Sequence, residues 1–180
     1  FSSANLELKP SFPKIKTDFK IGIHLHLFNE FLAQEFLADL LQFPLPFDLF
    51  VTVSSEGAEK IAENMFSPLL TLNLKSLKVI VFPNRGRDVA PWILGMRPYQ
   101  KNYDLFCHIQ SKISFHFGTE FGNNWRRYLI KNLIQKDAFL EILSCFIENP
   151  DLGCVFPEVF PQLKNLELGN QIHLERMDIK

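Results

Sequence analysis

The fold is decided by one apolar run, Ile21-Gly22-Ile23-His24-Leu25-His26-Leu27-Phe28, which opens the regular part of the sequence. A short apolar run of this kind is typical of a β-strand that is buried in a sheet. Asn29 follows directly and can cap a helix in which the apolar positions 32, 36, 37, 40 and 41 share one face. Pro44 and Pro46 end that helix, because proline has no N–H to donate to the helical ladder. The stretch therefore predicts a strand followed by a helix.

The same alternation continues along the chain. Further strands are predicted at residues 48–54, 77–82, 104–110 and 153–156. Helices are predicted from a cap at Ser55 to about residue 66, and at residues 89–96, 125–135 and 137–148. Strands that alternate with helices require crossover connections, which favour parallel pairing. We therefore predict a three-layer α/β fold, with a mainly parallel sheet and helices on both faces.

The 180 residues are enough for one compact domain with a sizeable core. Residues 1–19 contain Pro10 and Pro13 without a clear period, and we interpret them as a lead-in or linker. The α/β domain is expected to span residues 20–157. Residues 158–180 form a C-terminal extension, interpreted as an incomplete second half or a docking tail. Because the chain begins with Phe1, we expect it to be a piece of a longer protein.

Composition excludes several classes of protein. The net charge of -1 argues against a nucleic-acid partner, which normally needs a clustered basic surface. No apolar run approaches the roughly 20 residues of a membrane span, so membrane association is expected only peripherally, through other domains. Three cysteines without metal-ligand spacing indicate buried thiols in a reducing compartment. A cytoplasmic location, extending to the inner face of the membrane, is the expectation.

Polar residues collect where the predicted strands end. In open parallel sheets, ligands bind at the carboxyl ends of the strands. This rule selects a rim made of four segments: Phe28-Asn29, Ser54-Ser55, Asn84-Arg85-Gly86-Arg87-Asp88 and Gln110-Ser111-Lys112.

The third of these segments, residues 84–88, is the most informative, and we call it the arginine loop. It lies between a strand and a helix, where backbone N–H groups and the helix dipole favour an anion. Arg85 and Arg87 add donors that pair well with phosphate oxygens. Gly86 allows a tight turn or a close approach to a ligand, and Asp88 can cap the helix, orient an arginine or accept from a hydroxyl. The alternative interpretation is a solvated turn with Asp88 as a plain cap.

Histidines mark the two strands beside this rim. His108, Gln110 and Lys112 are expected on one side of their strand, where lysine can offset diphosphate charge and histidine can donate or take a proton. The alternative is a core histidine and a surface lysine. His24 and His26 also share a face and could hold a metal, although no third ligand is evident. Polar packing at the rim is the other interpretation, with His26 the better candidate for ligand contact.

Three segments together resemble the rhamnan synthesis protein F family, which is tied to bacterial cell-surface polysaccharide assembly. They are IGIHLHLF at residues 21–28, NRGRDVAPW at 84–92 and YDLFCHIQSK at 103–112, and the run DLGCVFP at 151–157 is similar in kind. The resemblance implies a GT-A/Rossmann-like fold and transfer of a sugar, rhamnose, from a nucleotide-sugar donor such as dTDP-rhamnose. The acceptor would be a growing glycan or a lipid-linked glycan. Gln110 and Ile113 depart from the family pattern, which often has histidine and lysine there.

The resemblance also bears on metal use, because GT-A enzymes commonly hold a divalent metal with Asp-x-Asp at the end of the fourth strand. His108-Ile109-Gln110 stands there instead, so Mg²⁺ or Mn²⁺ would lack its oxygen ligands. We expect no cofactor and no metal, with cationic side chains stabilising the leaving nucleoside diphosphate. The predicted catalytic residues are His108 and Asp88, and the base is left open between His26 and His108. The predicted substrate-binding residues are His26, Ser54, Asn84, Arg85, Gly86, Arg87 and Lys112.

Two rival functions remain at this point. A non-catalytic nucleotide- or glycan-binding module would use the same pocket without a reaction. A phosphate-ester enzyme would use the same anion site, but the sequence offers neither metal carboxylates nor a marked nucleophile.

Overall fold

A computed structural model describes residues 19–71, 73–111 and 118–163 of the chain. Its sheet has four parallel strands in the order β3-β2-β1-β4. The strands are β1 (Ile21–His26), β2 (Phe47–Val53), β3 (Leu74–Val81) and β4 (Leu105–Gln110). The longer helices are α1 (Ala33–Leu41), α2 (Glu56–Phe66), α4 (Thr119–Leu133) and α5 (Lys136–Glu148). Between β3 and β4, a π-helical turn (Pro91–Gly95) leads into α3 (Met96–Gln100), and short 3-10 turns lie at Glu30–Leu32, Ser67–Thr71 and Pro161–Leu163.

Strand β1 lies between β2 and β4, and all six of its residues are buried. One face of the sheet carries the apolar core. Ile23 and Leu25 pair in register with Leu49 and Val51, and these side chains pack against four helices. The core-facing helix residues include Phe36 of α1, Ala62 of α2, Ile130 of α4 and Phe139 of α5.

The opposite face is aromatic and polar. Phe50 and Phe106 contact Tyr99, Tyr103 and Trp92, which belong to the segment between β3 and β4. Helical structure therefore covers both faces of the sheet. This confirms the predicted α/β fold, and the arrangement is consistent with a GT-A/Rossmann-like architecture.

Both predicted helix caps are confirmed. The Asn29 side chain accepts a hydrogen bond from Phe31 N at 3.1 Å, and Ser55 Oγ accepts one from Ala58 N at 3.2 Å. Each oxygen satisfies a backbone donor that has no partner inside its helix. The predicted apolar face of α1 is wrong at its last position, because Leu41 remains 49% exposed.

The helical segment after the arginine loop is longer than predicted. It begins at Val89 and continues to Gln100 rather than ending at residue 96. The extension has an apolar cause, because Met96 is fully buried and Tyr99 packs on Phe50 of β2. The π-helical turn lies at its centre, and such turns are frequent at functional sites.

The predicted fifth strand at residues 153–156 is wrong. Residues 152–160 form no regular secondary structure, and β4 is an edge of the sheet as far as the described residues extend. A cavity of about 640 Å³ is lined by Phe106 and Cys107 of β4 and by Gly153, Cys154 and Val155. The segment thus faces β4 across a gap rather than hydrogen bonding to it. Cys154 is exposed, which corrects the prediction of three buried thiols, whereas burial raises the pKa of the Cys107 thiol to about 12.

Helix α4 begins at Thr119 rather than at residue 125, and it is joined to α1 by ion pairs. Arg126 Nε donates to Glu35 Oε2 at 2.9 Å, and Arg127 Nη1 donates to Asp39 Oδ2 at 2.7 Å. These two arginines therefore hold the two helices together.

Candidate functional site

The four parallel strands end at the same edge of the sheet, at His26, Val53, Val81 and Gln110. Two of these ends are joined by Ser111, whose hydroxyl accepts hydrogen bonds from Phe28 N at 2.8 Å and Asn29 N at 3.1 Å. Ser111 N in turn donates to His26 O at 2.9 Å. The buried Ser111 was part of the predicted rim, but its role in joining β1 to β4 follows from their register, which the sequence does not give.

The arginine loop follows β3 and adopts a strained backbone. Gly86 and Arg87 both have positive φ angles, 75° and 54°. A Cβ atom added to Gly86 would lie 2.6 Å from Ala90 Cβ, so only glycine fits there. A left-handed non-glycine residue such as Arg87 is uncommon, and this kind of strain is concentrated at functional sites.

The guanidinium groups of this loop are open to a ligand. Arg85 and Arg87 are exposed, and neither has an ion-pair partner within residues 19–71, 73–111 and 118–163. Asn84 and Ser54, both predicted to bind substrate, are likewise exposed at this edge. Lys112 lies outside the described residues. The assignment of these side chains to a diphosphate stays a prediction.

Three histidines on β1 and β4 form a continuous cluster with Thr52 of β2. His24 Nε2 lies 2.8 Å from Thr52 Oγ1, and His26 Nδ1 lies 2.9 Å from the same oxygen. The second nitrogen of His24, Nδ1, lies 3.0 Å from His108 Nδ1. His24 is 0% and His26 8% exposed, whereas the side chain of His108 is 21% exposed.

Asp88 and Trp92 complete the cluster from the side of the arginine loop. His108 Nε2 is buried and has no hydrogen-bond partner in the described part of the chain. The nearest acid is Asp88, whose Oδ2 lies 3.9 Å away, close enough for charge attraction but beyond hydrogen-bonding distance. The Trp92 ring stacks on His108 at a centroid distance of 4.8 Å and on His24 at 5.8 Å.

The pKa shifts follow from this packing. Burial, together with smaller effects of the neighbouring His108 and His26, lowers the pKa of His24 to about 2. Burial also lowers the pKa of His26, although Asp88 acts in the opposite direction. The His108 imidazole lowers the pKa of the Asp88 carboxyl. At neutral pH the cluster therefore contains the uncharged rings of His24 and His26 close to the ionised carboxylate of Asp88.

A metal bound by the His24–His26 pair does not fit this geometry. Both ring nitrogens of His24 already lie at hydrogen-bonding distance from Thr52 and His108, so neither nitrogen faces an open position. Within the described ranges, no group of three or more His, Cys, Asp or Glu side chains is placed to hold a metal ion. The pair is instead part of the cluster.

The structure thus brings together three of the predicted site residues, namely His26, Asp88 and His108. Sequence reasoning missed Thr52 and Trp92. Their signals were a polar residue inside the apolar strand β2, and an aromatic residue four positions after Asp88, where a helix presents the same face. None of the predicted site residues in the described ranges lines the 640 Å³ cavity beside β4.

Comparisons with known proteins support one family. A sequence model described as rhamnan synthesis protein F matches residues 6–177. No curated protein and no solved structure matches the chain. No helix in the part of the chain that the structure describes is long and apolar enough to cross a membrane. Because the match covers nearly the whole sequence, the chain belongs to the rhamnan synthesis protein F family, and its role lies in rhamnan synthesis.

Proposed function

We propose that this chain is a glycosyltransferase domain that transfers a sugar, rhamnose, from a nucleotide-sugar donor to a cell-surface polysaccharide. The donor would be dTDP-rhamnose, and the acceptor a growing or lipid-linked glycan. One observation carries the proposal: the loop that carries the exposed Arg85 and Arg87 also carries Asp88, which faces the histidine cluster at the carboxyl edge of a parallel sheet. Anion donors and proton-transfer groups are the two requirements of such a transfer.

In this proposal the arginine loop holds the donor. Arg85 and Arg87 have no carboxylate partner within the described ranges, so their donors are open to diphosphate oxygens. Lys112 adds a third cation, as the sequence predicts. Asn84, Ser54 and the backbone of Gly86 position the donor, and the following helix directs its positive end toward the phosphates.

The reaction breaks the bond between the anomeric carbon and the phosphate oxygen, and the nucleoside diphosphate leaves with the electron pair. The acceptor hydroxyl oxygen forms the new glycosidic bond and loses its proton to a base. Fixed cations can stabilise the negative charge on the leaving group in place of a divalent metal, so we propose transfer without a metal ion. His108 and Asp88 line the reaction site. We also propose a cytoplasmic location at the inner face of the membrane, consistent with the free thiols of Cys107, Cys145 and Cys154.

Ligand-dependent stabilisation tests this proposal. We expect dTDP and dTDP-rhamnose to raise the Tm of the chain, and the shift to remain in EDTA. We expect Arg85→Ala and Arg87→Ala each to weaken dTDP binding about 10-fold or more, since a hydrogen bond to a charged group contributes roughly 1.5–3 kcal/mol. Isothermal titration measures both affinities.

Arg97→Ala is the matched control, because Arg97 is an exposed arginine beside the cavity at β4 rather than in the loop. It should bind dTDP as the parent does. Equal dTDP affinity in the parent and both loop variants would refute the phosphate-binding role. Binding of glycans with no response to any nucleotide would instead identify a glycan-binding module.

A further inference from the structure

The hydrogen-bonded cluster at the rim has an unusual property: its geometry allows the proton positions to be deduced from one end to the other. It begins at the charge contact between Asp88 and His108, and it continues through hydrogen bonds from His108 to His24, Thr52 and His26. A neutral imidazole has one N–H and one lone pair, and a hydroxyl has one hydrogen to donate. Each contact in the cluster therefore determines which atom donates the hydrogen in the next contact.

The Asp88 carboxylate determines the first proton position, which is that of His108. His108 Nε2 faces Asp88 Oδ2 at 3.9 Å, and a lone pair pointed at a carboxylate would be repelled. The proton of neutral His108 is therefore favoured on Nε2, which leaves Nδ1 as an acceptor. Because His24 Nδ1 lies 3.0 Å from that acceptor, it must carry the proton of its own ring.

The remaining steps are forced by the same rule. With its proton on Nδ1, His24 offers only a lone pair at Nε2, so the Thr52 hydroxyl donates to it across 2.8 Å. The hydroxyl has no second hydrogen, so at 2.9 Å His26 Nδ1 must be the donor to Thr52 Oγ1. His26 Nε2 is then left with a lone pair. No described residue hydrogen-bonds to that atom, and His26 keeps 8% of its surface exposed.

We propose that His26 is the catalytic base of the transfer, and that Asp88 fixes its tautomer through His108, His24 and Thr52 so that Nε2 accepts the proton. The inference rests on the proposed function and names the base that the sequence left open between His26 and His108. In the reaction, the acceptor hydroxyl gives its proton to His26 Nε2 while its oxygen bonds to the anomeric carbon. The proton stays on His26, and the negative charge of Asp88 stabilises the imidazolium.

His26 is the catalytic residue in this arrangement, and the other members of the chain are positioning residues. Titratable groups whose charges act on His26 come from two neighbouring elements, His108 on β4 and Asp88 in the arginine loop. Strand β2 contributes the uncharged Thr52, and His24 lies on the same strand as His26. The lowered pKa of His26 keeps its ring neutral at physiological pH, as a base requires.

Nitrogen-15 NMR of the imidazole rings tests the tautomers in the free chain, without any donor. At pH 7.5 we expect His26 and His24 to carry their protons on Nδ1 and His108 on Nε2. Variants that each lack one histidine assign these signals and distinguish them from the signals of His116 and His173. Thr52→Val should shift His26 toward the Nε2–H tautomer, whereas Thr52→Ser should keep the parent pattern.

Asp88→Asn interrupts the proposed coupling between Asp88 and His26 at a second position and leaves Thr52 in place. It should change the tautomer of His26, although Asp88 and His26 share no hydrogen bond. A proton on Nε2 of His26 in the parent would overturn the inference. The inference would also be overturned if the tautomer of His26 were the same in the parent, Thr52→Val and Asp88→Asn. Contacts that only stabilise the fold would not couple Asp88 and Thr52 to the tautomer of His26.

Kinetics with dTDP-rhamnose and a rhamnose oligosaccharide acceptor test the role of the base. We expect His26→Gln to lower kcat about 100-fold to 10,000-fold with little change in donor KM, and to remove the acid limb of the pH profile. Unchanged kcat in His26→Gln would refute the base. If the tautomers are as expected but the parent transfers no sugar, the proposed function is wrong, whereas the inferred proton positions in the cluster remain valid.

Discussion

Gly86 is the residue on which the conformation of the arginine loop depends most directly. Its φ of 75° is left-handed, and its α-carbon hydrogen occupies space that a methyl group would share with Ala90 Cβ. Substitution therefore combines backbone strain with a steric clash inside the first turn of the following helix.

We expect Gly86→Ala to lower the free energy of unfolding by about 1–3 kcal/mol and to weaken dTDP binding together with it. Urea denaturation measures the first effect and titration the second. Gly57→Ala is the control, because Gly57 lies in the first turn of α2 and an added Cβ would meet only Ser55 Oγ at 3.9 Å. It should leave stability unchanged or raise it slightly. Equal losses in the two variants would contradict the steric argument.

The sequence predicts single residues well where their partners are local. Asn29 and Ser55 cap helices because the donors they satisfy lie two or three residues further along the chain. Thr52 could not be recognised in this way, because its partners His24 and His26 are brought to it by strand pairing across the sheet. Trp92 belongs to the segment 84–92 that resembles the family, but its stacking on His108 depends on where the helix crosses the strands.

Among the elements, the contact between α1 and α4 depends on charge as well as on the apolar core. The Arg126 side chain is 5% exposed and bonds to Glu35, while Arg127 is 46% exposed and bonds to Asp39 and Glu35. Removing the buried cation leaves Glu35 without its better-desolvated partner. Removing the exposed one leaves Glu35 paired with Arg126, and it takes from the 9% exposed Asp39 a partner whose own charge is screened by solvent.

We expect Arg126→Ala to destabilise the chain by about 3 kcal/mol, as for other broken buried ion pairs. Arg127→Ala should cost less, on the order of 1 kcal/mol, because solvent screens the exposed guanidinium. Chemical denaturation of both variants beside the parent makes the comparison. A larger loss in Arg127→Ala would show that exposure does not rank these two ion pairs.

Helices and strands were predicted correctly where the hydrophobic periodicity agreed with the positions of proline and capping residues. The prediction was wrong where a strand also needed a neighbouring strand to pair with. The four strands of the sheet carry continuous apolar or β-branched runs between helices, so their order and type could be predicted. Residues 153–156 have the same composition, but a strand also needs an edge to pair with. Here a cavity separates the segment from β4, and Pro157 follows at once without an N–H to donate.

For the whole molecule, the buried histidines predict sensitivity to acid. The folded-state pKa of His24 is about 2, well below its ordinary 6.5, so only the unfolded chain takes up its proton between these values. His26 and Asp88 are shifted in the same direction. For each group the stabilisation is complete above the unfolded pKa and is lost as pH falls toward the folded pKa.

We expect the free energy of unfolding to decrease as pH falls from 6.5 to 4.5, by about 1 kcal/mol per pH unit for a fully neutral buried histidine. His24→Phe keeps a ring against Trp92 and removes the titration. This variant should be less stable than the parent at pH 7.5 but should lose stability more slowly below pH 6.5. Parallel slopes for the two proteins in urea titrations across this range would contradict the assignment to His24.

The placement of His24 at the middle of the central strand has a practical consequence for protein engineering. A search for acid-tolerant variants would replace this shielded imidazole by an aliphatic or aromatic group, because such a group takes up no proton when the chain unfolds. That change would sever the connection between Asp88 and His26 while improving tolerance to low pH. Screens that select only on acid resistance should therefore enrich substitutions at this position, and under the proposed mechanism selection for sugar transfer should restore histidine there.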